Sequence, residues 1–146
     1  MRIEIKTFNE LTPLELYQIL ELRNNVFVVE QNCAYLDTDG CDQEAHHLLI
    51  WEDEVLTAYA RIIKPGIKYE TSSIGRVAVH VKYRKLKLGH LLMEQAVKAV
   101  KNLYKTGAIT ISAQAHLQRF YSKHGFVTAS NEYLEDDIPH VKMVRD

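Results

Sequence analysis

One junction constrains this chain more than any other stretch. Ile74-Gly75-Arg76-Val77-Ala78-Val79-His80 reads as a β-branched strand, and Tyr83-Arg84-Lys85-Leu86-Lys87-Leu88-Gly89-His90 as a short basic turn. An amphipathic helix follows at once, with Leu91, Leu92, Val97, Val100 and Leu103 available for its buried face. A helix that opens directly out of a strand and turn gathers unpaired backbone N–H groups and a positive dipole end at one point. Arg84, Lys85 and Lys87 add cationic side chains around that point. The arrangement suits a phosphate or pyrophosphate, and a small domain with a diphosphate site implies a nucleotide-type ligand.

The 146 residues suffice for one domain, 1–146, with a real core. Eighteen basic and nineteen acidic side chains leave a net charge of −1, which announces neither nucleic acid nor a membrane surface. No apolar run approaches the ~20 residues that span a bilayer, and the start of the chain alternates like a strand instead of carrying a signal core. A cytoplasmic location is the expectation. Cys33 and Cys41 are the only cysteines and form no CxxC, so two reduced thiols are expected.

Residues 2–7 read as the first strand. Thr12-Pro13-Leu14-Glu15 carries a cap, a proline at the first helical position and a capping-box acid. That helix should run through Leu16, Tyr17, Leu20 and Arg23 toward Phe27, Val28 and Val29. Residues 32–45 form a polar, acidic loop. Two strands, 47–51 and 55–63, flank a turn at Glu52-Asp53-Glu54. The strand 74–81 and the helix 89–105 follow, and Gly107 is the expected C-terminal cap. A strand over 108–113, a short helix over 117–124 stopped by Gly125, and two late strands around a turn at Glu135–Pro139 complete the order. It predicts an α/β mixed architecture with helices on the faces of the sheet.

Val77-Ala78-Val79, Arg84-Lys85-Leu86-Lys87-Leu88-Gly89 and Phe120-Tyr121-Ser122-Lys123-His124-Gly125-Phe126 together resemble the GNAT superfamily of acyl-CoA-dependent N-acetyltransferases. The basic turn matches that superfamily's Arg/Gln-x-x-Gly-x-Gly/Ala pattern with Lys87 in place of the first glycine. Val28–Cys33, Ala58–Arg61, Ala113–Gln118 and Ile138-Pro139-His140 resemble its ElaA-type branch, where lysine is usual at that position. The resemblance implies a GNAT fold: one mixed sheet of six to seven strands, splayed between the fourth and fifth, flanked by helices. It implies acetyl-CoA as co-substrate, with the amides from Arg84 to His90 on the pyrophosphate and the open edge of Val77–Val79 pairing with the pantetheine arm. It also implies Tyr121 as the general acid that protonates the departing thiolate, a transfer between pKa values near 10 and 8.5.

The general base is open between two residues. His140 begins the last strand beside the expected acceptor pocket, and its pKa near 6.5 suits deprotonation of an amine. Glu30 lies in the segment after the first helix, which caps acceptor sites in this fold. Arg76 and Gln114 are candidate acceptor ligands; Arg76 would favour a carboxylate or phosphate, or else form a salt bridge with a nearby acid. Asp37, Asp39, Asp42 and Glu44 fail EF-hand spacing, because Cys41 and Asp42 fall on its fifth and sixth positions. They are expected to be a solvated loop, with acceptor recognition as the alternative. The adjacent His46 and His47 face opposite ways in a strand, and no metal is expected.

The resemblance implies direct transfer of an acetyl group to the amine of a small molecule or peptide, without an acyl-enzyme, because the cysteines lie outside the cofactor motifs. The rival is an acyl-CoA sensor or partner-binding module on the same fold. A nucleic-acid binder using Lys82–Lys87 is disfavoured, since the patch is local and the chain slightly acidic. A homodimer stays open.

Overall fold

The structure is a computed structural model and describes residues 1–146. Strand β1 (Arg2–Thr7) leads through a 3-10 turn, Phe8–Glu10, to helix α1 (Pro13–Arg23). The start of α1 is set locally, as its sequence predicts. Thr12 Oγ1 accepts the Glu15 N–H at 3.1 Å, and the Thr12 N–H donates to Glu15 Oε1 at 2.8 Å. Such a reciprocal cap contributes about 1 kcal/mol. Past Arg23 the helix does not continue as α. Asn24–Glu30 widens into a π-helical turn, a form concentrated at functional sites.

Strands β2 (His46–Glu52) and β3 (Val55–Ile63) form a hairpin that turns with Asp53 at φ 53°, and β4 (Ser73–Val79) pairs with β3. The first sheet runs β1-β2-β3-β4, antiparallel throughout. Alternation splits its side chains between two layers. Leu48, Ile50, Ala60 and Ile62 share a core with helix α2 (Leu88–Tyr104), while Leu49, Trp51, Tyr59 and Ala78 share one with Ile19, Leu22 and Val26 of α1 and the π turn. The buried face of α2 is Leu88, Leu92, Met93, Ala96, Val97, Ala99 and Val100. Leu91 is only half-buried and Leu103 is exposed, so the face is rotated from the expected one toward small side chains that let the helix lie close. Lys105, at φ 58°, caps α2 by donating its N–H to Lys101 O at 3.0 Å. Gly107, expected there, instead sits where a Cβ would meet Asp146 O at 3.1 Å.

Strand β5 (Ile109–Gln114), helix α3 (Gln118–Ser122) and strands β6 (Val127–Thr128), β7 (Tyr133–Glu135) and β8 (Ile138–Arg145) build the second half. β8 pairs antiparallel with β5 on one edge and with β6 and β7 on the other. The β7–β8 turn is only Asp136-Asp137, both left-handed at φ 52° and 62°, as a tight two-residue hairpin requires. Pro139 is therefore inside β8 and not in the turn; pairing with β5 begins one residue later, at His140. The expected splay between the fourth and fifth strands is present and so wide that, in place of one mixed sheet of six to seven strands, eight strands form two antiparallel four-stranded sheets. The two sheets meet at one parallel bridge, Ser72 with Ile109, where the Thr110 N–H donates to Ser72 O at 2.9 Å. Past that point β4 and β5 diverge.

Candidate active site

The divergence opens a cavity of about 510 Å³ lined by β4, β5, the π turn, α3 and the β7–β8 hairpin. Its β4 wall is shaped by a bulge. Tyr59 pairs with Ala78 and Arg61 with Gly75, so Ala60 faces both Arg76 and Val77, and Arg76 takes φ 51°. Val77 and Val79 then face the cavity while Ala78 is buried in the layer under α1. The His80 N–H bonds Thr57 O on β3 at 2.7 Å. By strand alternation the N–H and C=O of Val79 point the other way, toward the wedge, where β4 has no strand partner.

At the end of β4 a 3-10 turn, Val81–Leu86, delivers the chain to α2. Lys87 is left-handed, at φ 56°, and no side chain caps the helix. The first helical bond is Leu91 N–H to Lys87 O at 3.4 Å, so the amides of Leu88, Gly89 and His90 remain without helical partners, as an anion site needs. The lysine keeps the backbone shape for which a glycine is usual, and its side chain is exposed. Neither Lys85 nor Lys87 is in an ion pair. Leu86 is exposed, Leu88 is core, and a Cβ on Gly89 would make ordinary contact, at 3.4 Å, with the Phe120 ring. His90 Nδ1 lies 2.9 Å from His124 Nε2; burial, then the neighbouring His90, lowers the pKa of His124.

Arg84 is already engaged. Its Nη2 is 2.6 Å from Glu30 Oε1, and its Nε donates to Val79 O at 3.2 Å. The Arg84 hydrogen bonds hold the Glu30 carboxyl below the usual carboxylate range. The second base candidate thus sits at the cavity edge as half of a bidentate ion pair, clamping the π turn to the end of β4.

Tyr121 and His140 both line the cavity and are both more than nine-tenths buried. Burial pushes the Tyr121 phenol up to about 12, and its hydroxyl bonds no protein atom. His140 Nδ1 is 2.7 Å from Ile138 O. A carbonyl only accepts, so Nδ1 carries the proton and Nε2 presents a lone pair. Gln114 also lines the cavity, donating to Gln31 Oε1 at 3.3 Å. Around His140 are three residues that the sequence did not flag. Tyr133 OH and Ser112 Oγ are 2.5 Å apart, Ser112 Oγ donates to Glu135 Oε1 at 3.1 Å, and Glu135 Oε2 is 3.4 Å from His140 Nε2. The available signal was the alternation of Tyr133 and Glu135, which puts them on one face of a strand whose end had been assigned to a turn.

The acidic loop is solvated only in part, with Asp39 and Glu44 exposed. Asp37 and Asp42 are buried against Arg23 and Arg61, which are themselves 0% and 1% exposed. Arg23 contacts Asp37 Oδ2 at 2.7 Å and Asp42 Oδ1 at 2.8 Å; Arg61 contacts Asp39 Oδ1 at 2.8 Å and Asp42 Oδ1 at 2.9 Å. Tyr35 OH donates to Asp37 at 2.7 Å, and His47, lowered by burial, bridges Tyr59 OH and Asp42 O. Arg76 joins this network through Asp37 Oδ1 at 2.9 Å and Asp39 Oδ2 at 3.4 Å. Of the two sequence readings of Arg76, its contacts are those of the salt bridge. Burial alone would raise Asp39 and Asp42, but the arginine hydrogen bonds outweigh it and both are lowered. Arg61, the one charged residue of β3, was the sequence signal that buried acids must exist.

A sequence model of the acetyltransferase (GNAT) domain matches residues 17–146. The chain is 42% identical to protein ElaA of Escherichia coli over 140 residues, covering 94% of this chain and 92% of that one. The crystal structure of that ElaA superimposes with a TM-score of 0.92 at 39% identity and 99% coverage of both chains. An acyl-CoA N-acyltransferase structure from Pseudomonas aeruginosa superimposes with a TM-score of 0.95 at 44% identity over 100% of both.

Proposed function

The chain belongs to the GNAT acetyltransferase family, and on that premise we propose that it moves an acetyl group from acetyl-CoA directly to a primary amine. The observation that carries this is the pairing of two buried groups in one cavity: the Tyr121 hydroxyl and the His140 Nε2, neither hydrogen-bonded to protein, beside the open edge of β4. The residues present fit an acyl-CoA. Uncapped amides at Leu88–His90 with the free Lys85 and Lys87 would take the phosphates, and the Val77–Val79 edge would take the amide-bearing arm.

The thioester supplies an activated acetyl group. His140 Nε2 accepts a proton from the acceptor ammonium, whose pKa near 10 leaves it mostly charged at neutral pH. The freed amine forms the new N–C bond, and the C–S bond breaks. Stabilisation of the oxyanion falls to the N–H of Val79, which β4 leaves without a strand partner. Tyr121, raised to about 12, keeps its proton at neutral pH and gives it to the departing thiolate. The proton that the attacking nitrogen must still shed to become the amide returns to the Tyr121 phenolate, and solvent takes the His140 proton. Glu30, held down by Arg84, is a weak base and serves to fix Arg84.

Thermal unfolding with and without acetyl-CoA, followed by CoA release on an amine panel, tests this. Ligand at a hundred times its dissociation constant adds about 2.7 kcal/mol. Stabilisation with turnover supports the proposal. Stabilisation without turnover on any amine favours a sensor, and no stabilisation at millimolar acetyl-CoA refutes it.

A further inference from the structure

We propose that Glu135 is the group that binds the acceptor's ammonium, and that the acceptor is accordingly an alkylamine with no carboxylate on the carbon beside its amine. The proposal rests on the transferase reading and names the substrate class of that site.

Glu135 is held ready from one side. Ser112 Oγ donates to its Oε1, and Tyr133 OH in turn donates to Ser112, since the single serine proton is already used. Oε2 is left facing His140 Nε2 at 3.4 Å without a hydrogen bond between them. Two more observations point to a ligand there. His140 and Tyr121 are each over nine-tenths buried, and each presents an unpartnered polar atom to the same cavity. A primary ammonium has three N–H donors, enough to reach both Glu135 Oε2 and the His140 lone pair.

The charges of the cavity wall set the class. Asp136 adjoins Glu135, lines the cavity and is in no ion pair. No lysine or arginine lies within ion-pair distance of either carboxylate. The cations on the cavity wall are committed elsewhere, Arg61, Lys68 and Arg76 to Asp37, Asp39 or Asp42, and Arg84 to Glu30. The wall next to the base is thus doubly negative. It attracts an ammonium and repels an α-carboxylate, whereas an anion several carbons from the amine lies farther from these carboxylates.

The test compares pentylamine, 6-aminohexanoate and norleucine as acceptors at saturating acetyl-CoA, read as CoA release. Pentylamine and 6-aminohexanoate should have similar kcat/KM, and norleucine should fall at least about tenfold below them. Glu135→Gln should raise the KM for pentylamine by about tenfold, leave the KM for acetyl-CoA unchanged, and narrow the gap to norleucine. Glu135→Asp should restore part of the loss. Norleucine preferred, an unchanged amine KM in Glu135→Gln, or no turnover of all three overturns the proposal. Stabilisation by acetyl-CoA, measured alongside, reports separately on the broader transferase reading.

Discussion

Replacing Asp42 by Asn changes almost no volume and removes one negative charge from the centre of a buried network. Asp42 Oδ1 accepts from Arg23 at 2.8 Å and from Arg61 at 2.9 Å, and both guanidinium groups are essentially inaccessible to water. Breaking a buried pair by removing one partner costs about 3–5 kcal/mol, because the remaining charge is left uncompensated. Arg23 keeps Asp37 and Arg61 keeps Asp39, which places Asp42→Asn at the low end, about 3 kcal/mol. For 146 residues the unfolding entropy is about 0.3 kcal/mol/K, so the Tm should drop by about 10 °C. Urea unfolding followed by circular dichroism gives the free energy directly. The acid limb provides a second readout. Asp39 and Asp42 are lowered in the fold, so their stabilisation is complete above the ordinary carboxylate pKa near 4 and is lost as pH falls through the folded values. Asp42→Asn should flatten that loss. A destabilisation below about 1 kcal/mol, with an unchanged acid slope, would mean that the loop is solvated and the network energetically idle.

Three further outcomes are expected. Tyr121→Phe should lower kcat by about a hundredfold while the KM for acetyl-CoA stays near its original value, since only the proton is removed; equal losses in both would remove the acid role. Glu30→Gln should keep kcat/KM within about tenfold, in contrast to His140→Ala, which should lose a hundredfold or more; the opposite ranking would make Glu30 the base. Lys87→Gly should leave unfolding free energy within about 1 kcal/mol, relief of the left-handed strain offsetting the added chain entropy, but should weaken acetyl-CoA affinity measurably by calorimetry; unchanged affinity would place Lys87 away from the phosphates.

Local signals were legible where a few neighbouring residues decide the conformation. Thr12, Pro13 and Glu15 marked the start of α1, and the hairpin around Asp53 and the stop at Gly125 were readable the same way. The same logic failed at the β7–β8 turn. Pro139 drew the turn toward itself, but Asp136 and Asp137 take the left-handed positions while the proline lies in a strand end that β5 does not reach. That one shift hid Glu135, Tyr133 and Ser112, because their meeting depends on the register of three strands. The acidic loop misled for a related reason: nothing between residues 32 and 45 indicates that Arg23, Arg61 and Arg76 will converge on it.

The sequence by itself determined the cap of α1, the basic turn into α2 and the order of elements up to α3, after which one expected strand became the two short strands β6 and β7. These are properties of short windows and of spacing, which the chain carries before it folds. Only the tertiary structure decided that Arg76 is spent on Asp37, that Glu30 clamps Arg84, and that a carboxylate stands beside His140. Whether a charge is a ligand, a base or a strut depends on which opposite charge lies within a few ångströms, and long-range packing alone sets that distance.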